Sequence, residues 1–120
     1  MKHAILRPLA RADLRGEILY YRKHAGKLIA NQLVVVADEA LQHLQDYPGT
    51  GSPRIGQILD IAGLRSWRIT GFPLIWFYFE YEDRLDVMRL LGERQDILSI
   101  LNADSIVRQA NAEDDCTGRF

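Results

Sequence analysis

Cysteine occurs once in the 120 residues, as Cys116, so no internal disulfide framework can form and no cysteine-based zinc site is available. A lone thiol suits a reducing compartment, and the chain is expected in the cytoplasm. Long apolar runs are missing too. No stretch approaches the roughly 18 apolar residues of a membrane span, and Met1 to Ala12 alternates charged and apolar residues without the apolar core of a signal peptide. Neither export nor a membrane partner is expected. An excess of one charge is equally absent: 15 Lys and Arg stand against 16 Asp and Glu. That balance excludes a strongly basic nucleic-acid coat protein and an acidic disordered tail protein. What the chain does have is 48% hydrophobic and 26% charged residues, the composition of one globular domain. A chain of this size buries roughly two-thirds of its unfolded surface, enough for a core without metals or disulfides.

The balanced charge hides an uneven layout. Residues 1–28 hold seven basic and two acidic residues, residues 29–101 six and ten, and residues 102–120 two and four. Twelve of the fifteen basic residues are arginine, whose planar guanidinium makes bidentate contacts with carboxylates and phosphates. The basic N-terminal segment reads either as a solvated helix face or as a surface that meets an acidic protein or a phosphate backbone.

Periodicity sets out the elements. Met1 to Arg7 predicts a short first strand ending at Pro8. From Leu9 to Ala25, Leu14, Ile18 and Tyr21 recur at spacings of four and three, one apolar stripe of a helix that stops at Gly26. Ile29, Leu33, Val36, Ala40, Leu44 and Tyr47 continue the rhythm up to Pro48-Gly49, so a second helix runs back against the first. Between Pro48 and Asp60 neither period survives, and a loop is expected. Three strands follow: Leu64–Thr70, Leu74–Tyr81 and Leu85–Leu91, joined at Gly71-Phe72-Pro73 and Glu82-Asp83-Arg84. The middle strand, Leu74-Ile75-Trp76-Phe77-Tyr78-Phe79, is apolar on both faces, as expected of a central strand covered by helices on one side and by something else, such as a partner, on the other. Asp96 is placed to cap a short helix through Leu101, and a polar, acidic tail follows. These elements predict an α+β fold in the order β-α-α-β-β-β, an antiparallel sheet covered by an N-terminal helical hairpin, with residues 1–101 as the domain and 102–120 as its tail.

The residues for most chemistries are not in position. His3, His24 and His43 lie at the N-terminus or on helices, away from any strand-to-loop nucleophile, and they have no metal-ligand spacing. The glycines from Gly49 to Gly56 lack the adjacent Lys and following helix of a phosphate loop. Neither a metal nor a cofactor is expected. Arg65, Arg68, Arg89 and Arg94 cluster on or beside the strands. Such side chains can stabilise a pentacovalent phosphate if an acid and a base stand near. They can equally pair with Asp60, Asp86, Glu93 or Asp96, or with an acidic partner.

The order of elements and several fragments together resemble the RelE/ParE superfamily of bacterial toxin–antitoxin systems. The fragments are Leu6-Arg7-Pro8-Leu9-Ala10, Asp13-Leu14, Tyr20-Tyr21, Gly63-Leu64-Arg65, Phe72-Pro73, Phe77-Tyr78 and Leu90-Leu91-Gly92-Glu93-Arg94-Gln95-Asp96, within Ile5 to Leu101. RelE-like members cut messenger RNA on the ribosome, whereas ParE-like members, known from plasmid stabilisation, poison DNA gyrase without cleaving RNA. In the RelE-like pattern a basic segment precedes a catalytic Tyr. Here Leu98 stands at the Tyr position, and Glu93 stands where His or Lys is usual. Arg65 and Arg94 alone leave such a site incomplete, and Tyr78 reads more simply as core. ParE-like chains often carry His where Gly92 stands. The long hairpin without a lysine-rich strand is likewise similar to ParE.

The resemblance therefore implies a gyrase-inhibiting toxin that is not an enzyme and binds no nucleic acid directly. Its implied partners are DNA gyrase and a cognate ParD-like antitoxin, in a heteromeric complex. An antitoxin of that kind is disordered alone and wraps the toxin, burying apolar side chains and pairing acids with arginines. Arg65, Trp67, Trp76, Phe79 and Arg89 are the expected antitoxin contacts, and Arg65 and Arg94 the target-binding or residual RelE-like pair. For Trp67 and Trp76, packing beneath the hairpin is the competing reading. The other functional classes are a ribosome-dependent ribonuclease and a non-toxic member that survives as an antitoxin partner.

Overall fold

Pro8 cannot donate to a strand ladder and has the φ of a first helical position, and the chain turns there from strand to helix. In a computed structural model, which describes residues 2–104, β1 (His3–Leu6) leads through Arg7 into α1 (Pro8–Ala25). Gly26 alone, at φ 96° and ψ 168°, joins α1 to α2 (Lys27–Asp46). No L-residue takes that conformation easily, so glycine is required at this joint. A 3₁₀ turn (Pro48–Thr50) and a short helix α3 (Arg54–Leu59) precede β2 (Leu64–Arg68), β3 (Leu74–Glu80) and β4 (Arg84–Gly92), and α4 follows over residues 97–104. Asp96 caps α4 as expected, accepting from the Ser99 amide at 3.3 Å. The helix runs beyond Leu101 to Asp104. The expected tail and Cys116 lie outside the described residues.

The segment from Pro48 to Asp60 is not all loop. α3 has six residues, too few for a helical period to show in sequence, and Asp60 ends it in the left-handed conformation at φ 56°. The sheet order is β1-β4-β3-β2. β2, β3 and β4 form the expected antiparallel meander, but β1 pairs parallel with β4, His3 beside Arg84 and Leu6 beside Val87, so the sheet is mixed. The connection from β1 through the helices crosses to β2 at the far edge of the sheet, and the meander then returns through β3 to bring β4 beside β1.

The hairpin covers one face of the sheet. Ala10 of α1 and Leu33, Ala37, Leu41 and Leu44 of α2 are buried against Trp76, Tyr78, Leu85, Val87 and Leu90. Trp76 is fully enclosed, and its indole N–H donates to the Ala37 carbonyl at 3.3 Å. The second face is not left for a partner, as the sequence suggested. Phe77, Phe79, Met88 and Leu91 pack there with Ile61, Leu64 and Leu101, flanked by Ile55 and Leu59 of α3 and Ile97 and Ile100 of α4. The expectation fails because α3 lies where the sequence shows only loop, and because no local pattern tells which face the short helix after Asp96 covers.

One ion-pair network joins the two layers. β1 ends at Leu6, so beyond Val87 the outer edge of β4 has no neighbouring strand. Asp13 of α1 fills that place: its carboxylate accepts from the Leu90 amide at 3.0 Å and from Arg89 Nε and Nη2 at 2.7 and 2.9 Å. Arg89 also donates through Nη1 to Asp104 of α4 at 2.9 Å. All three side chains are less than one-fifth exposed. A β-bulge where Phe77 faces Arg89 but Tyr78 faces Val87 leaves Met88 as the extra residue and sets Arg89 at this edge. The hydrogen bonds that Arg89 donates to Asp13, then the one to Asp104, hold its pKa above the ordinary value.

Arg89→Ala leaves two largely buried carboxylates unpaired and is expected to cost about 2–3 kcal/mol, below the full penalty for a deeply buried pair. Urea unfolding followed by circular dichroism will show a lower midpoint at unchanged slope, and Arg89→Lys will recover little because it cannot reproduce the fork. Glu17 carries the opposite sign. Burial, then the charge of Asp13 one turn earlier, raise its pKa above the ordinary carboxylate value, so folding favours its protonated form. That contribution is present only at acid pH and is lost as pH rises through the raised pKa. Glu17→Gln is therefore expected to gain a few tenths of a kcal/mol at neutral pH, a gain that vanishes when melts are repeated below the carboxylate range.

Candidate functional site

The five expected antitoxin contacts turn out to have partners within the chain. Trp76 and Phe79 are buried on opposite faces of the sheet. Arg89 is committed to Asp13 and Asp104. Trp67 is half-buried, stacked on His43 of α2 with ring centroids 4.9 Å apart and planes 19° apart. Arg65 donates through Nη1 to the carbonyls of Gly51 at 2.7 Å and Gly49 at 3.3 Å. It thereby holds the 3₁₀ turn down on β2.

Tyr78 shares that task. Its hydroxyl donates to the Pro48 carbonyl at 2.6 Å and accepts from the Gly51 amide at 3.1 Å. Gly51 must be glycine, since a Cβ there would strike the Tyr78 ring and hydroxyl. Burial is the main cause holding the Tyr78 pKa above its ordinary value, so the phenol stays protonated at neutral pH. The proposed residual pair, Arg65 and Arg94, lies on two different segments. Arg65 is the second residue of β2, whereas Arg94 follows β4 in the turn where the Glu93 amide donates to the Pro73 carbonyl. Glu93 is ion-paired with Arg68 at 2.7 Å, and Leu98 is 45% exposed on α4. Among the described residues no group of three or more His, Cys, Asp or Glu could hold a metal ion, and no helix is long and apolar enough to cross a membrane.

A groove of about 340 Å³ that the sheet residues did not suggest runs along α1. Leu6 of β1 and Leu14, Ile18 and Leu19 give it an apolar floor, and Arg11 and Arg15 stand exposed at its rim. Four-residue spacing builds it: Leu14 and Ile18 lie one turn apart, as do Arg11 and Arg15, on adjoining strips of the helix. Neither arginine has an ion-pair partner among the described residues. The sequence carried the signal in the arginines set between the apolar residues of α1, but the part taken by Leu6 needed the fold. A second recess, about 320 Å³, lies between α3 and β2 and is lined by Gly56, Gln57, Asp60, Gly63 and Arg65 among others.

The two guanidinium groups over an apolar floor suit an extended or helical peptide that offers carboxylates and aliphatic side chains. Comparison with known proteins agrees with the fold. Ten chains of solved structures match, among them one of the chromosomal ParDE toxin–antitoxin system from P. aeruginosa. That chain superposes with a TM-score of 0.64 at 20% identity, over 77% of this chain and 96% of its own length, a likeness of fold. Comparison with curated proteins gives no match. The family model for the ParE toxin of the type II toxin-antitoxin system parDE matches residues 4–97, from β1 to the first residue of α4. The chain belongs to the ParE toxin family.

Proposed function

We propose that this chain is the toxin of a type II toxin–antitoxin pair, acts in the cytoplasm by binding and inhibiting DNA gyrase, and is silenced by a ParD-like antitoxin. The placement of the arginines is the observation that carries the binding reading. Arg65 is tied to loop carbonyls and Glu93 to Arg68, so neither is poised on a phosphate. A ribonuclease needs an acid, a base and a cation around one scissile bond. That requirement weighs against the RelE-like alternative. Arg94 is exposed and has no ion-pair partner among the described residues, which leaves it available to a protein target.

For the antitoxin, the α1 groove supports the assignment better than the sheet. Its aliphatic residues are expected to enter over Leu6, Leu14 and Ile18, with its acids on Arg11 and Arg15. Arg65 and Trp67, both half-buried at the β2 edge, are a secondary contact. Trp76, Phe79 and Arg89 support these surfaces from inside. A segment that is unstructured alone spends part of its interaction energy on ordering, so charge pairing at the rim contributes mainly to recognition and association rate.

The purified chain is expected to inhibit gyrase supercoiling and to leave ribosome-bound message intact; message cleavage that is lost in Arg94→Ala would overturn the reading. Arg11→Glu combined with Arg15→Glu is expected to weaken antitoxin binding at least about tenfold by calorimetry, through like-charge contacts at the rim. An unchanged affinity would move the antitoxin off this groove.

A further inference from the structure

α1 and α2 meet at a single residue, so positions equally far from Gly26 lie at equal height along the two antiparallel helices. Each residue adds about 1.5 Å of rise. Leu19 therefore stands level with Leu33, Arg15 with Ala37 and Arg11 with Leu41. The buried partners at these heights face the sheet. Their neighbours Val35, Asp38, Glu39 and Gln42 are exposed.

The outer surface of the hairpin is thus divided lengthwise. α1 presents Arg11, Arg15, Arg22 and Lys23 around Leu19, which is 57% exposed. α2 presents Asp38 and Glu39 beyond Val35, 55% exposed, and Leu28, 83% exposed. Among the described residues no ion pair joins the basic strip to the acidic one; Asp38 only accepts from Gln42, at 2.6 Å. On α1, Ala12 and Gly16 lie one turn apart between the charges, and a Cβ on Gly16 would meet nothing within 4 Å. The backbone there is open to close approach.

We propose that this outer face is a self-association surface, on which a second copy of the chain docks its own hairpin about a two-fold axis running along the helices. Such an axis lays α1 of one protomer over α2 of its partner with heights preserved. Arg15 and Arg11 then face the opposing Glu39 and Asp38, and Leu19 faces the opposing Val35. An isologous contact makes every pair twice. The alternative two-fold, across the helices, would set Arg11 and Arg15 against Arg22 and Lys23, and like-charge repulsion disfavours it. Charge thus selects both the partner and the orientation. The face shares Arg11, Arg15 and Leu19 with the α1 groove, but self-association concerns the chain free of any antitoxin and does not rest on that assignment.

Sedimentation of the full, antitoxin-free chain across micromolar concentrations tests this. Dimers are expected, weakened when salt is raised from 0.1 to about 0.5 M, since the pairs at the rim are screened. Glu39→Arg and Arg15→Glu should each weaken the dimer at least about tenfold, the double reversal should restore it, and Glu82→Arg in the β3–β4 turn should leave it unchanged. Circular dichroism of each variant checks that it is folded, and both exchanged positions are exposed on helices. A chain that is monomeric at every concentration, or a dimer insensitive to both single reversals, overturns the proposal. Failure of the double reversal to restore a dimer lost in the singles overturns the Arg15–Glu39 pairing on which the orientation rests.

Discussion

Beyond Leu6 the sheet has no strand beside β4, and the carboxylate of Asp13 takes that strand's place. It accepts the Leu90 amide that would otherwise face an empty edge, and with the same two oxygens it holds the Arg89 guanidinium. Arg89 passes the linkage on to Asp104. This chain of three side chains ties α1 on one face of the sheet to α4 on the other. An unmet backbone donor and an unpaired charge are each costly when buried, and here one aspartate answers both. Arg7 makes a similar link where β1 turns into α1, pairing with Asp86 of β4 and lying 5.7 Å over the Phe79 ring.

With its interior charges neutralised in this way, the molecule keeps exposed arginines on the hairpin that have no ion-pair partner among the described residues. The large, aromatic and basic residues of the strands also set the sheet, the bulge and the 3₁₀ turn. The exposed arginines of α1 have no such internal task. Their neighbours Leu14 and Ile18 are half-buried, so the same helix both closes the core and lines a groove.

How much of this could be read in the sequence followed from length and period. α1, α2 and the meander span enough residues for their rhythms to show, and their observed limits fall within two residues of those expected. α3 has too few turns for a period, and no local pattern assigns the short helix after Asp96 to a face, so the second face looks open in the sequence although Ile61 and Leu101 are buried on it. The parallel placement of β1 was not legible because strand direction in a sheet depends on how the crossover runs, which no local pattern records. Within the candidate site the abundance of arginine is visible in the sequence, but which arginines are unpaired is not. That depended on Asp13, Asp104 and the carbonyls of Gly49 and Gly51 having claimed the others.

The parallel pairing of β1 with β4 also sets the order in which the molecule can come into being. His3 finds Arg84, and Ile5 finds Asp86, only after roughly eighty intervening residues have been made, so the first strand emerging from the ribosome must wait for nearly the last. Asp104 is later still. A chain closed by contacts so distant in sequence gains little from partial synthesis, and its folding is slow and cooperative compared with a bundle built from neighbours. A nascent or truncated chain therefore has no finished sheet.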